Sequence, residues 1–284
     1  MATILSGKPV AKAIDEKTKE TVERLKEFGV IPKVALIRVG DRPDDKAYES
    51  GIIRHCDKVS VEVETIHLAE NVTQDDLITA VKRVNSDDTI HGCLLFKPLP
   101  EHLDEDAVVA ALDPKKDIDG ITPGALAGVF LDKTIGFPPC TAQACIEVLK
   151  HYRILTDGKN TVVLGRSPVI GKPVAMMLLK EQATVTICHS HTRETADIAK
   201  GADILIAAIG RGGLVTADFT NEDQTVLDVG INFDASGKMI GDVDFDAVSQ
   251  KAAAITPVPG GIGTVTTAVL INHVVKCAQL ISPR

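Results

Sequence analysis

The chain has 284 residues, of which 31 are Lys or Arg and 39 are Asp or Glu, giving a net charge of −8, and only 3% are aromatic. This length suits two domains, and the acidic, ring-poor balance excludes broad nucleic-acid binding, which needs basic faces and stacking rings. No apolar run approaches the ~18 residues of a membrane span, and Met1–Gly7 lacks the charged and apolar regions of a secretion signal. In chain order, Lys8–Phe28 places Val10, Ala13, Ile14, Val22 and Leu25 near one face, as an amphipathic helix does. Lys33–Val39 is a short β-branched run closed by Gly40, the pattern of a buried strand. Val61–Leu68 alternates as a second strand, Gln74–Asn85 has helical spacing, and Ile90–Phe96 is a third strand stopped by Pro98 and Pro100. Strands alternating with helices predict a mostly parallel sheet.

A loop-rich break follows, from Lys116-Asp117-Ile118-Asp119-Gly120 to Phe137-Pro138-Pro139-Cys140-Thr141. The domain boundary is expected close to Cys140. A helix over Gln143–Tyr152 leads into strands at Asn160–Gly165, Thr184–Cys188, Asp203–Ala208 and Thr225–Val229, with helices between the first three. The tail, Thr264–Leu280, reads as an apolar helix returning to the first domain. The six cysteines (Cys56, Cys93, Cys140, Cys145, Cys188, Cys277) are scattered without a C-x-x-C pair and read as reduced thiols of a cytosolic protein.

The sharpest local feature is Gly165-Arg166-Ser167-Pro168-Val169-Ile170-Gly171, directly after a strand and before a helix. Glycines at Gly165 and Gly171 allow a tight turn and close approach to a pyrophosphate at the helix N-terminus. The spacing is not the usual G-x-G-x-x-G, and an ordinary strand–helix turn with Ser167 as the cap remains the alternative. NAD sites carry an acidic residue about 20 residues further on, at the end of the next strand. Here that strand ends Cys188-His189-Ser190-His191-Thr192-Arg193, with no carboxylate before Glu194. Arg166 and small hydroxyl residues suit a 2′-phosphate, which favours NADP. His189 and His191 read equally well as a polar strand end facing solvent.

Further segments carry a resemblance. They are Val39-Gly40-Asp41 leading to Tyr48, Pro98-Leu99-Pro100, Lys116-Asp117-Ile118-Asp119-Gly120, Asp228-Val229-Gly230-Ile231-Asn232 and Ile255-Thr256-Pro257-Val258-Pro259-Gly260-Gly261-Ile262-Gly263. With Gly165-Arg166-Ser167 and Cys188-His189-Ser190, they resemble the methylenetetrahydrofolate dehydrogenase/cyclohydrolase family, in order and over nearly the whole chain. The resemblance implies two α/β domains around a cleft, the second a Rossmann-type NAD(P)-binding domain. Residues 1–140 with 270–284 would form the folate-binding catalytic domain and 141–269 the NADP-binding domain. It also implies a cytoplasmic homodimer that acts on a tetrahydrofolate substrate, oxidising 5,10-methylenetetrahydrofolate with NADP⁺. Many members then hydrolyse the methenyl product to 10-formyltetrahydrofolate. By position, Tyr48 and Asp119 are the catalytic pair: Tyr48 stacks on the aminobenzoate of folate, and Asp119 accepts hydrogen bonds from the pterin. The other readings are a sheet-edge core tyrosine and a turn aspartate before Gly120. Leu99, Pro259, Gly260 and Gly261 border the substrate. Gly165, Arg166, Ser167, Gly171, Ser190 and Ile231 hold the cofactor, with Arg166, Ser167 and Ser190 on its 2′-phosphate. Cys140 reads as packing rather than a nucleophile.

The chain departs from the pattern at two positions. Bifunctional relatives have Tyr-x-x-x-Lys, where this chain has Tyr48-Glu49-Ser50-Gly51-Ile52. They also have Val-Gln-Leu-Pro-Leu-Pro, where this chain has Leu95-Phe96-Lys97-Pro98-Leu99-Pro100, so Ile52 and Phe96 replace a lysine and a glutamine. Oxidation mainly requires two rings to be positioned. Hydrolysis needs proton transfer in a tetrahedral intermediate, typically worth about 10²–10⁴-fold from a placed acid or base. The expected activity is therefore dehydrogenation with little or no cyclohydrolase. Lys97 or Arg54 restoring hydrolysis is the first alternative, a non-catalytic NADP-binding sensor the second. An amino-acid-type dehydrogenase would need a convergent lysine–aspartate pair, which adjacent Lys116 and Asp117 do not by themselves supply.

Overall fold

The computed structural model describes residues 1–281, and the chain divides into two compact units: Met1–Lys12 with Thr141–Thr266, and Ala13–Cys140 with Thr267–Arg284. The elements begin with β1 (Thr3–Ile4) and α1 (Gly7–Glu27). β2 (Lys33–Val39) is the middle strand of a three-stranded parallel sheet, and Val34–Ile37 are no more than 1% exposed, which is why the run is apolar throughout rather than alternating. α2 (Pro43–Val59) starts on a proline with Asp44 and Asp45 in its first turn, both favourable at a helix N-terminus, and stops at Ser60 in the left-handed conformation. β3 (Glu62–Leu68) pairs with β2 on one side. α3 (Gln74–Ser86), capped by the Thr73 hydroxyl, then leads to β4 (Gly92–Leu95) on the other side of β2.

α4 (Glu105–Ala111) and α5 (Pro123–Leu131) complete the run to Cys140. Leu77, Val81 and Val84 on α3 share a core with Ile37, Ile90 and Leu95. Each fully buried Leu, Ile or Val stabilises the fold by about 1.5–3 kcal/mol.

α6 (Cys140–His151) leads to β5 (Asn160–Leu164), α7 (Gly171–Lys180), β6 (Thr184–Cys188), α8 (Thr195–Lys200) and β7 (Ile204–Ala207). A 3₁₀ turn at Ala217–Phe219 precedes β8 (Thr225–Asp228). A short antiparallel hairpin follows, of β9 (Asn232–Phe233) and β10 (Met239–Ile240), then α9 (Phe245–Ser249), β11 (Ala254–Ile255) and α10 (Ile262–Ile281). The six-stranded sheet has the order β1-β11-β8-β7-β5-β6, with every pairing parallel. From β5 the chain steps outward to β6 and then returns to β7 on the other side of β5. The order therefore reverses between β5 and β7, where doubly wound sheets bind ligands at the carboxyl ends of their strands.

The N-terminus departs from the expected division. Residues 1–12 join the nucleotide-type unit and not the first domain, because β1 pairs with β11 at Thr3↔Ala254 and Ile4↔Ile255. Leu5 N–H donates to the Ile255 carbonyl at 2.8 Å, and the Tyr152 hydroxyl donates to the Ser6 carbonyl at 2.8 Å. A two-residue strand has no period that would show in the sequence. At the other end the units divide at Thr267, inside α10, three residues before the expected 270.

Candidate active site

The nucleotide-type unit holds a cavity of about 480 Å³ at the β5/β7 reversal. Gly165 ends β5 with φ +127°, and a Cβ there would collide with the Ala208 carbonyl just after β7. A Cβ on Gly171, at the start of α7, would collide with the Gly165 carbonyl. Both glycines are thus required by close backbone contact, and they bring the start of α7 against the turn. Gly165, Arg166, Ser167 and Ser190 line the cavity, and Gly171 supports it from beneath. The Ser167 hydroxyl oxygen accepts from Ile170 N–H at 3.1 Å and Gly171 N–H at 3.4 Å, so it caps α7 and keeps only its own O–H to donate to a ligand.

His189 also lines the cavity, and its Nδ1 accepts from His191 N–H at 3.2 Å, which leaves the proton of the neutral ring on Nε2. None of the lining residues is acidic. Ile231, on the loop after β8, is 60% exposed and is not part of the lining. Arg211, Leu214 and Phe219 do line it; the sequence reading passed over them, although glycines flank Arg211 closely on both sides. Pro259, Gly260 and Gly261 lie in the same unit, where the Gly260 carbonyl accepts from Gly7 N–H at 2.8 Å and Gly260 takes φ +100°.

The other unit gathers Tyr48, Ile52, Phe96, Leu99 and Asp119. Tyr48 lies on α2 rather than at a sheet edge, 43% exposed, with its ring edge-on to Phe96 at a centroid distance of 5.9 Å. Its neighbour Glu49 accepts from Arg38 Nε at 3.2 Å and pairs with His67 Nε2 at 2.7 Å, which ties α2 to β2 and β3. Ile52, one turn beyond Tyr48, is 1% exposed, and Phe96, just past β4, is 5% exposed. Leu99 packs on the core beneath α3.

Asp119 sits on a loop that Asp117 clamps. The fully buried Asp117 carboxylate accepts from Gly120 N–H at 2.9 Å and from Thr122 N–H at 2.7 Å. Two groups converge on the carbonyl of Ile118, between the two aspartates: His273 Nδ1–H at 2.8 Å and the Cys140 thiol at 3.1 Å. Burial pushes the His273 ring down to about 3, so it is neutral there, and burial keeps Cys140 protonated as a thiol. Asp119 itself is held up at about 7 by burial and then by the Asp117 charge, against a hydrogen bond from Cys140 and the charge of Lys97. Burial, and then the charge of Asp119, raises the Tyr48 phenol well above its ordinary range. Tyr48 and Asp119 are therefore electrostatic neighbours. Lys97 Nζ is held by Glu105 at 2.8 Å, and Arg54 is exposed on α2. All six cysteines are buried and unpaired, and no helix of the described residues is long and apolar enough to cross a membrane.

Two family models match the chain: tetrahydrofolate dehydrogenase/cyclohydrolase, catalytic domain, over residues 5–119, and its NAD(P)-binding domain over residues 139–282. The bifunctional protein FolD of Alkaliphilus oremlandii is 50% identical over 280 residues, covering 99% of this chain and 98% of the relative. Among solved structures, the bifunctional FolD methylenetetrahydrofolate dehydrogenase/cyclohydrolase of Campylobacter jejuni is 38% identical, with TM-score 0.96 and 99% of each chain covered. The Trypanosoma brucei methylenetetrahydrofolate dehydrogenase-cyclohydrolase, complexed with NADP cofactor and an inhibitor, is 34% identical, with TM-score 0.91 and 98% of each chain covered. By sequence and by fold, the chain belongs to the tetrahydrofolate dehydrogenase/cyclohydrolase family.

Proposed function

We propose that this chain oxidises 5,10-methylenetetrahydrofolate with NADP⁺ to 5,10-methenyltetrahydrofolate and has little or no capacity to hydrolyse that product. The observation that carries the second half is the burial of Ile52 and Phe96, at 1% and 5% exposure, beside Tyr48. At these two positions the family resemblance calls for a lysine and a glutamine. Neither an isoleucine nor a phenylalanine side chain can move a proton.

The cavity at the β5/β7 reversal fits NADP. Its glycines admit no side chain, Arg166 and Ser190 line it, and no carboxylate faces a 2′-phosphate. Bound there, NADP⁺ supplies the hydride acceptor. Arg166, Ser167 and Ser190 hold the 2′-phosphate, while Gly165 and Gly171 let the backbone approach the pyrophosphate. Asp119 takes hydrogen bonds from the donor edge of the pterin, Tyr48 stacks on the aminobenzoate and Leu99 adds apolar contact. Pro259, Gly260 and Gly261 are assigned to ligand contact from their pattern of rigid prolines and unhindered glycines. Departure of the hydride is driven by the lone pair of a folate nitrogen, so the protein contributes alignment and no general acid. A cytoplasmic homodimer belongs to the same proposal, supported by the family resemblance.

The bifunctional reading is the second one, favoured by the name of the 50% identical relative. It would need Lys97, whose ammonium is engaged by Glu105. Product stoichiometry separates the two. With methylenetetrahydrofolate and NADP⁺, the dehydrogenase reading expects one methenyltetrahydrofolate to accumulate for each NADPH formed, and NAD⁺ to be the poorer oxidant. NADPH formation accompanied by 10-formyltetrahydrofolate in place of the methenyl compound supports the bifunctional reading. Binding of NADP⁺ with no turnover of folate would indicate the sensor.

A further inference from the structure

The loop after β7 forms one wall of the nucleotide cavity through Ile209, Arg211 and Leu214. Loops that bind phosphate commonly aim successive backbone N–H groups at the ligand. Here those donors are turned inward. Ile209 N–H and Gly210 N–H donate to one oxygen of Asp242 at 2.6 and 3.0 Å, and Arg211 N–H donates to the other at 2.8 Å. Asn232 Nδ2 donates to that second oxygen at 2.9 Å. Asp242 is fully buried, and its own N–H donates to Asp228 Oδ1 at 3.0 Å. A Cβ on Gly230 would collide with the Asp242 carboxyl, so the neighbouring loop is built around it.

With the Ile209, Gly210 and Arg211 N–H groups consumed by Asp242, the charged group this wall offers an anion is Arg211, its one cationic residue. The loop also begins at Ala208, whose carbonyl packs against Gly165 in the turn that approaches a pyrophosphate. NADP carries a 2′-phosphate and a separate pyrophosphate, more negative charge than Arg166 alone can match. Resting on the NADP reading above, we infer that Arg211 binds the cofactor pyrophosphate and that Asp242 is the positioning residue that turns Arg211 toward it. Arg166 then serves the 2′-phosphate, and the two arginines divide the ligand.

The test is binding, read by displacement of NADPH fluorescence in the full-length protein, with NADP⁺ and with 2′-AMP, which keeps the 2′-phosphate and lacks the pyrophosphate. Arg211→Gln should weaken NADP⁺ about tenfold and leave 2′-AMP within about twofold, as removal of one charge-assisted contact predicts. Arg211→Lys should recover most of the loss. Arg166→Gln should weaken both probes. Asp242→Asn should follow the Arg211→Gln pattern with a smaller loss; should that variant fail to fold, the arginine variants decide alone. Equal NADP⁺ binding by Arg211→Gln and wild type overturns the inference, and so does an equal loss for 2′-AMP. Wild-type protein that binds no NADP⁺ at all defeats the NADP reading instead, a distinct outcome.

Discussion

The nucleotide cavity and the Tyr48–Asp119 site are made of different materials. The cavity is shaped by backbone: two glycines in collision range of neighbouring carbonyls, a serine cap, and a loop that gives three successive N–H groups to Asp242. Its charges stand on exposed side chains in an open pocket. The Tyr48–Asp119 site is shaped by side chains, and its carboxyl is held near 7 by burial and by the charge of Asp117. A backbone site tolerates surface variation as long as its glycines remain. A side-chain site changes its chemistry with one or two substitutions, and Ile52 and Phe96 are two.

The largest expected effect breaks the second site alone. Asp119→Asn should lower kcat/KM for methylenetetrahydrofolate by about 10²-fold, the scale of losing a charged acceptor in a partly buried site, with NADP⁺ affinity unchanged. A loss of NADP⁺ binding in that variant would mean that the two sites are not separable. Next is the converse substitution. Ile52→Lys with Phe96→Gln restores the polar pair, and hydrolysis of methenyltetrahydrofolate should rise up to about 10²-fold above wild type. A folded double variant without any gain would place the missing proton transfer elsewhere.

How much of this was legible in sequence follows from the same contrast. β2, β5, β7 and β8 show in the chain because they are short, buried, β-branched apolar runs, several of them closed by glycine. β1, β9, β10 and β11 are two residues each and leave no periodic trace. Gly165 and Gly171 announce the turn because backbone collision demands glycine at set spacing. Arg211 stays hidden because its role depends on Asp242, 31 residues away, which no local pattern links to it. Tyr48 and Asp119 come from motif resemblance. Their mutual influence, and the support of Ile118 by His273 and Cys140, depend on burial and on contacts made across the fold.

The smallest expected effect is thermodynamic. The carboxyl of Asp119 is raised from an ordinary value to about 7 in the fold, so the native state binds its proton more tightly than the unfolded chain does. Stability from this group is therefore present at low pH and is lost as pH rises toward 7. Asp119→Asn, which carries no charge to bury, should raise Tm by a few degrees at pH 8, with the gain shrinking as pH falls and vanishing below about pH 4, the ordinary carboxylate range. A gain that grows as pH falls to about 4 would reverse the sign and contradict the assigned cause.

Direct hydrolysis of 5,10-methenyltetrahydrofolate by the purified wild-type protein bears most closely on the central claim, with its own dehydrogenase rate as the yardstick. The apolar pair Ile52 and Phe96 predicts hydrolysis indistinguishable from the buffer reaction while NADP⁺-dependent oxidation proceeds. Hydrolysis as fast as that oxidation would contradict it.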